Sequence, residues 1–200
     1  MKTVAILDYG LGNLRSVMRG LERSGARPAI TADIEEASSA DGIVLPGVGA
    51  FSQGMEQLGA IQDTLIAYVR EAPVLGICLG MQMLMEWSQE NGIHRGLGLV
   101  PGTVRRFPKA AGFKVPHMGW NTIHVGDECP LFDGIPQESF VYFVHSYYAD
   151  TAPEYQASKT SYIRPFASSL HNGNAFGVQF HPEKSGAVGL KILENFIGLL

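Results

Sequence analysis

The chain has 200 residues, 46% of them hydrophobic, with 15 basic against 19 acidic side chains and a formal net charge of -4. That length and apolar content support a full core and predict one domain over residues 1–200, while charges spread without blocks exclude the basic stripe that holds a nucleic acid. Two cysteines are too few for a disulfide framework, the N-terminus does not resemble a signal peptide, and no apolar run approaches the roughly 20 residues that span a bilayer, so the expected setting is the cytoplasm, with no membrane partner.

"KTVAILDYG" opens as a short apolar strand ending at Gly10, and "LGNLRSVMRGLERSG" sets Leu11, Leu14, Val17, Met18 and Leu21 on one helical face. The turn between them, "DYGLGNL", has the place of a dinucleotide fingerprint but carries Arg15 where the third glycine belongs, which argues against NAD and for a turn at a binding surface. A strand at "RPAI", an acidic helical turn at residues 34–37 and "DGIVLPGVGAF", an apolar strand cut by Pro46 and Gly47, follow in order. Unbroken apolarity suits a parallel strand covered on both faces. Residues 61–71 make an amphipathic helix through Ile61, Leu65, Ile66 and Val69, then "PVLGI" is a strand and "LGMQMLMEW" a helix with Leu79, Met83 and Trp87 at helical spacing. The second half reads as short strands, "GLVPGTVRRF", "FVYFVHSYY", "YQASK" and "AFGVQF", closed by the helix "GAVGLKILENFIGLL". The predicted fold is α/β: an open, mostly parallel twisted sheet flanked by helices, with antiparallel strands in its second half.

Cys78 lies between glycines in "VLGICLGMQ", where a strand hands over to a helix. Buried filler is the ordinary fate of a free cysteine. A residue squeezed into such a turn is strained and presented at its tip, and small neighbours at Gly76 and Gly80 relieve the crowding. This G-x-C-x-G is the cysteine form of a nucleophile elbow, and the backbone N–H groups of the new helix favour a thiolate and a developing oxyanion. Cys129, in "DECPLFDG", has no such context and is expected to be filler.

A nucleophilic cysteine needs a base and a group to orient the base. Five of the six histidines, His94, His117, His124, His145 and His171, have no acid at obvious spacing and are expected to be structural or solvated. In "FHPEKSG" His181 and Glu183 flank Pro182, and in extended chain they project to the same side. Alone, H-x-E is better described as a solvated loop; with Cys78 a Cys-His-Glu triad becomes the better account. The chain lacks the spacings of a zinc site, so no metal is expected.

Two further features suit acyl transfer. Val48, between glycines in "LPGVGAF", can present a second N–H to an oxyanion beside that of Leu79, although an ordinary tight turn explains the same residues. Gln82, one helical turn after Cys78, can hold the polar end of a small substrate. Trp120, beside Gly119 in an expected turn, reads as an exposed anchor.

Together "GICLGMQ", "LPGVGAF" and "FHPEKS" resemble the class I (triad-type) glutamine amidotransferases, and "DYGLGNLRS", "GLGLVPGTVRRF" and "PHMGWN" narrow the resemblance to the glutaminase subunits of imidazole glycerol phosphate synthase. Met81, where many class members carry histidine, agrees with the narrower group. The resemblance covers nearly the whole chain. It implies that Cys78, His181 and Glu183 hydrolyse glutamine through a thioester. Val48 and Leu79 would form the oxyanion hole, and Gly49, Gln82, Ser146 and Tyr147 would cradle glutamine. It implies no cofactor, and a separate cyclase subunit with a (β/α)8 barrel that uses the ammonia in histidine biosynthesis. Asn13, Arg15, Trp120 and Lys184 are the candidates for that interface. The alternatives are a glutaminase serving another synthase, a cysteine hydrolase that works without a partner, or a non-catalytic binding module. Because Gly47 and Gly49 make peptide rotation inexpensive, the second oxyanion donor is expected to depend on the partner.

Overall fold

The first half of the chain alternates strand and helix as its apolar pattern predicts. The structure, a computed structural model, describes residues 1–126 and 129–200. β1 (Thr3–Leu7) leads to α1 (Leu14–Arg23), and β2 (Arg27–Thr31) to α2 (Ile34–Ser38). β3 (Gly42–Gly47) leads to α3 (Phe51–Leu58) and α4 (Gln62–Tyr68), and β4 (Val74–Cys78) to α5 (Leu79–Met83). The remaining strands are β5 (Met85–Ser88), β6 (His94–Arg95), β7 (Val100–Arg106), β8 (His117–Val125), β9 (Ser139–His145), β10 (Tyr147–Asp150), β11 (Gln156–Ser161), β12 (Pro165–Asn172) and β13 (Ala175–Val178), and α6 (Gly186–Gly198) follows them.

The main path across the sheet runs β2, β1, β3, β4, β13, β12, β10, β7, β5, β6. From β2 to β13 every neighbour is parallel, and from β13 to β7 every neighbour is antiparallel. β8 and β9 form an antiparallel hairpin joined to the rest through β11. The fold is thus the mixed α/β sheet predicted from the sequence.

Unbroken apolarity in the early strands has its cause in two covered faces. Val4 and Ile6 of β1, with Val44 and Ile77, pack against Val17 and Leu21 of α1 and Leu193 and Phe196 of α6. Ala5 and Leu7, with Ile43 and Leu45, pack against Phe51, Leu58 and Leu65 of α3 and α4. Side chains of a strand alternate between faces, so each layer takes every second residue.

Several local expectations are corrected. The helix after Cys78 ends at Met83, and Trp87 lies in β5, opposite Arg95 of β6 and Thr103 of β7. Residues 79–85 are all buried, so helical spacing there carried no directional information. "DGIVLPGVGAF" is strand only to Gly47, and Phe51 begins a helix. "FVYFVHSYY" breaks at Ser146 into two strands. Gly119 and Trp120 lie within β8 rather than in a turn; Gly119 takes a φ of 122° while pairing with Phe143. Pro182 does not keep its segment extended: Pro182–Lys184 is a single 3-10 turn that follows an extended His181.

Candidate active site

The site lies at the C-terminal edge of the parallel strands. Gly47 at the end of β3 stands in register with Cys78 at the end of β4, and β13, on the other side of β4, runs out toward His181. Three consecutive strands of one parallel sheet therefore deliver the Val48 loop, the cysteine and the histidine to one place, where open α/β sheets bind ligands.

Cys78 has the backbone of an elbow. Its φ is 56° and its ψ -106°, a conformation that a residue with a Cβ adopts at a cost of about 1–3 kcal/mol. The flanking glycines are required by close approach: a Cβ on Gly76 would meet the Gly80 carbonyl 2.7 Å away, and one on Gly80 would collide with the Leu45 carbonyl oxygen. α5 starts at Leu79, so its first N–H groups have no carbonyl within the helix to bond.

His181 Nδ1 is 2.9 Å from Glu183 Oε1, and both side chains are almost wholly buried. The His181 backbone N–H donates to the Tyr142 carbonyl at 2.9 Å, and Ser185 Oγ donates to the His181 carbonyl at 2.6 Å while accepting from the Tyr142 N–H at 3.0 Å. Ser185, not singled out in the sequence, thus ties the histidine turn to β9. Burial acts to lower the His181 pKa, but the adjacent Cys78 sulfur and the Glu183 carboxylate outweigh it and hold it at about 9. The other ring nitrogen, Nε2, is buried without a hydrogen-bond partner among the described residues.

Cys78, Leu79, Gln82, Val48, Gly49, Ser146, Tyr147 and His181 all line one pocket of about 380 Å³. The eight are drawn from distant stretches of the sequence. Glu90 lines the same pocket and was missed in the sequence, where it lies in the polar "SQENG". Its carboxylate accepts from the Phe51 N–H at 2.6 Å, filling the N-terminus of α3, which has no side-chain cap of its own. Tyr9, from "DYGLGNL", was also missed. Its hydroxyl donates to the Pro46 carbonyl, and the same oxygen would lie 2.5 Å from a Cβ on Gly47, so it braces the strand end below Val48. Burial and then the nearby Cys78 raise the Tyr9 phenol well above its ordinary range.

Gln82 is oriented rather than free. Its Nε2 donates to the Tyr147 carbonyl at 3.2 Å and to Gln179 Oε1 at 3.0 Å, so the group left for a ligand is the Oε1 acceptor. Gly47 is required by close approach, since a Cβ there would meet Tyr9, Leu79 and Gly80, whereas Gly49 takes a φ of 108°, a conformation that favours glycine.

The four interface candidates are exposed. Asn13 and Arg15 lie at the start of α1, preceded by Gly12, which packs on Pro46. Trp120 pairs with Tyr142 across the hairpin, ring centroids 6.1 Å apart, and the Lys184 amino group sits 6.0 Å from the same tyrosine ring. Met118, Trp120 and Phe140 are 62%, 56% and 59% exposed, an apolar strip on the hairpin.

Cys129 is buried in the core, and burial pushes its thiol up to about 11, as befits packing material. A larger hollow of about 550 Å³ lies elsewhere, lined by His124, Cys129, Lys159 and His171 among others. Among the described residues no group of three or more His, Cys, Asp or Glu is placed to hold a metal ion, and no helix is long and apolar enough to cross a membrane.

The description "Glutamine amidotransferase class-I" belongs to the family whose profile matches residues 5–199, and the chain is a member of that family. Within it, the chain is 55% identical to the imidazole glycerol phosphate synthase subunit HisH of Methanosarcina barkeri, with 100% of each chain covered. It is 50% identical to the HisH subunit of Archaeoglobus fulgidus over 98% of each, and 48% identical to that of Streptococcus gordonii over 96% of this chain and 93% of the other. Among solved structures it shares its fold with PurLQS from Thermotoga maritima, at a TM-score of 0.76 and 20% identity over 99% of each chain.

Proposed function

We propose that this chain is the glutaminase subunit of an imidazole glycerol phosphate synthase, a one-domain enzyme of histidine biosynthesis in the cytoplasm, and that Cys78, His181 and Glu183 are its catalytic triad. The observation that carries the reading is the buried His181–Glu183 pair beside a cysteine on a strained elbow, with Cys78 and His181 lining one pocket.

The Cys78 sulfur adds to the side-chain carbonyl carbon of glutamine, and the carbonyl π electrons move to oxygen, where the N–H groups of Leu79 and Val48 face the charge. His181 gives its Nε2 proton to the amide nitrogen, the C–N bond breaks, and ammonia leaves with a thioester behind. His181 then takes a proton from water as the water oxygen attacks the thioester. Collapse breaks the C–S bond, returns the sulfur to Cys78 and releases glutamate. Glu183 holds the imidazole by Nδ1 and supports its charge.

Substrate recognition follows from which groups remain unoccupied. The Ser146 carbonyl accepts from the Phe107 N–H and the Tyr147 carbonyl from His145 and Gln82, which leaves the Ser146 N–H and hydroxyl as donors for the α-carboxylate of glutamine. Glu90 is the carboxylate in the pocket and suits the α-ammonium; Gln82 Oε1 accepts from the substrate, and the open backbone at Gly49 borders it. Ammonia passes to a separate cyclase subunit with a (β/α)8 barrel, docked on the face of Trp120, Lys184 and the start of α1 with Asn13 and Arg15. The exposed apolar strip beside Trp120 supports that placement.

The test is covalent capture. A glutamine analogue bearing a diazoketone at the amide carbon should leave one adduct, on Cys78, seen by peptide mass spectrometry. An adduct on Cys129 alone, or none, overturns the assignment.

A further inference from the structure

Gln179 was read in the sequence only as part of the strand "AFGVQF", yet it is 0% exposed and lies two residues before His181. Its Nε2 is 3.7 Å from Cys78 Sγ in donor geometry, while its Oε1 accepts from Gln82. Burying a primary amide costs free energy unless both its ends are satisfied, and here they are satisfied by the proposed nucleophile and a proposed substrate-holding residue.

The direction of these bonds is fixed by the Tyr147 carbonyl, on which two chains of donors converge. A backbone carbonyl only accepts, so Tyr147 O requires Gln82 to present its N–H groups, and Gln82 then requires Gln179 to present Oε1. That turns the Gln179 N–H toward the sulfur. At the far end, Asn121 Oδ1 accepts from the Thr122 N–H and its Nδ2 donates to the Ser161 carbonyl, so Nδ2 also faces His117 Nε2 as a donor at 3.2 Å. His117 Nδ1–H donates to His145 Nε2 at 2.9 Å, and His145 Nδ1–H to the Tyr147 carbonyl at 2.7 Å. Burial lowers His117 to about 4 and His145 to about 3, so both rings stay neutral near pH 7 and the direction does not reverse.

We propose that Gln179 is a positioning residue for the nucleophile: its carboxamide, oriented by Gln82, which the Tyr147 carbonyl orients in turn, donates an N–H to Cys78 Sγ and favours its thiolate. The proposal rests on Cys78 being the nucleophile.

The experiment is the pH profile of Cys78 alkylation by iodoacetamide in the full chain, wild type against Gln179→Met, which keeps the length and apolar stem but neither donates like an amide nor accepts strongly. The groups around the sulfur, His181 backed by Glu183, Tyr9, the Val144 carbonyl that accepts from Sγ at 3.9 Å, and His145 and Glu90 lining the same pocket, are the same in both proteins. The midpoint should move up by about one pH unit in Gln179→Met, the tenfold change expected for losing one hydrogen bond to a charged acceptor. Superimposable profiles from a folded variant overturn the proposal. If Gln179→Met does not fold, the wild-type chain answers: the Gln179 side-chain amide resonances in ¹⁵N spectra should titrate with the alkylation midpoint, and resonances indifferent to it overturn the proposal. Wild-type alkylation of Cys129 in preference to Cys78 would instead remove the triad reading, and this proposal with it.

Discussion

Nδ1 of His181 and Oε1 of Glu183 stand 2.9 Å apart beside the pocket that His181 lines, and both side chains have almost no solvent. A buried carboxylate in that place fixes which ring nitrogen carries the proton and leaves Nε2 for chemistry. Glu183→Gln keeps the shape and removes the charge that supports the imidazolium. It should lower kcat for glutamine hydrolysis by roughly 10² to 10⁴, with a smaller change in KM, in steady-state assays.

The histidines also set the pH range of stability. His181 has its folded pKa raised to about 9, so its contribution is complete below the unfolded value near 6.5 and is lost as pH rises toward 9. His117 and His145 are lowered to about 4 and about 3, so their favourable neutral forms are complete above about 6.5 and the fold weakens as pH falls from there toward 3. Melting temperature should therefore peak near pH 6.5, and Glu183→Gln should flatten the alkaline side of the curve while leaving the acid side intact.

The elbow stores strain that a glycine would release. Cys78→Gly and Cys78→Ala should both abolish glutaminase activity, but Cys78→Gly should be the more stable of the two by about 1 kcal/mol in urea unfolding, since only alanine keeps a Cβ at a φ of 56°. Gly80→Ala should act oppositely, costing about 3 kcal/mol or more because its methyl meets the Leu45 carbonyl.

Much of this site was legible in the sequence because strand-to-helix punctuation and residue chemistry coincide at Cys78. The glycines at 76 and 80 stand where close approach demands them, and His181 and Glu183 carry their relationship in three consecutive residues. What was hidden depended on tertiary contact. Glu90 looks like loop polarity until it reaches the start of α3, and Gln179 looks like a strand residue until β13 lies beside β4. The stretch "RPFASSLHN" hid β12 behind a proline and serines. Ser168 and Ser169 are buried there because their hydroxyls bond that of Ser158 on the neighbouring β11 at 2.8 and 2.7 Å. Trp87 misled because in a wholly buried segment helical spacing has no exposed face to contrast with.

Tyr9 braces the strand end that carries Val48. Tyr9→Phe leaves the buried Pro46 carbonyl without its donor and should cost about 1–2 kcal/mol of stability, measured by urea unfolding. Since it loosens the segment proposed to present an oxyanion donor, it should reduce kcat more than KM.

Trp120 and Lys184 meet over Tyr142, which makes Trp120 the anchor expected to dominate the partner face. Trp120→Ala should weaken cyclase binding by about 2 kcal/mol, near 30-fold in Kd by titration calorimetry. Because its side chain is exposed in the free chain, the melting temperature of the chain alone should change little.

The most direct measurement is glutamate release from glutamine by the purified chain, alone and with the cyclase subunit carrying its nucleotide ligand, beside Cys78→Ala. Strong release that requires the partner and disappears in Cys78→Ala is the predicted result. Release that survives Cys78→Ala would contradict the triad, and equal release with and without the cyclase would contradict the coupling of this site to a partner.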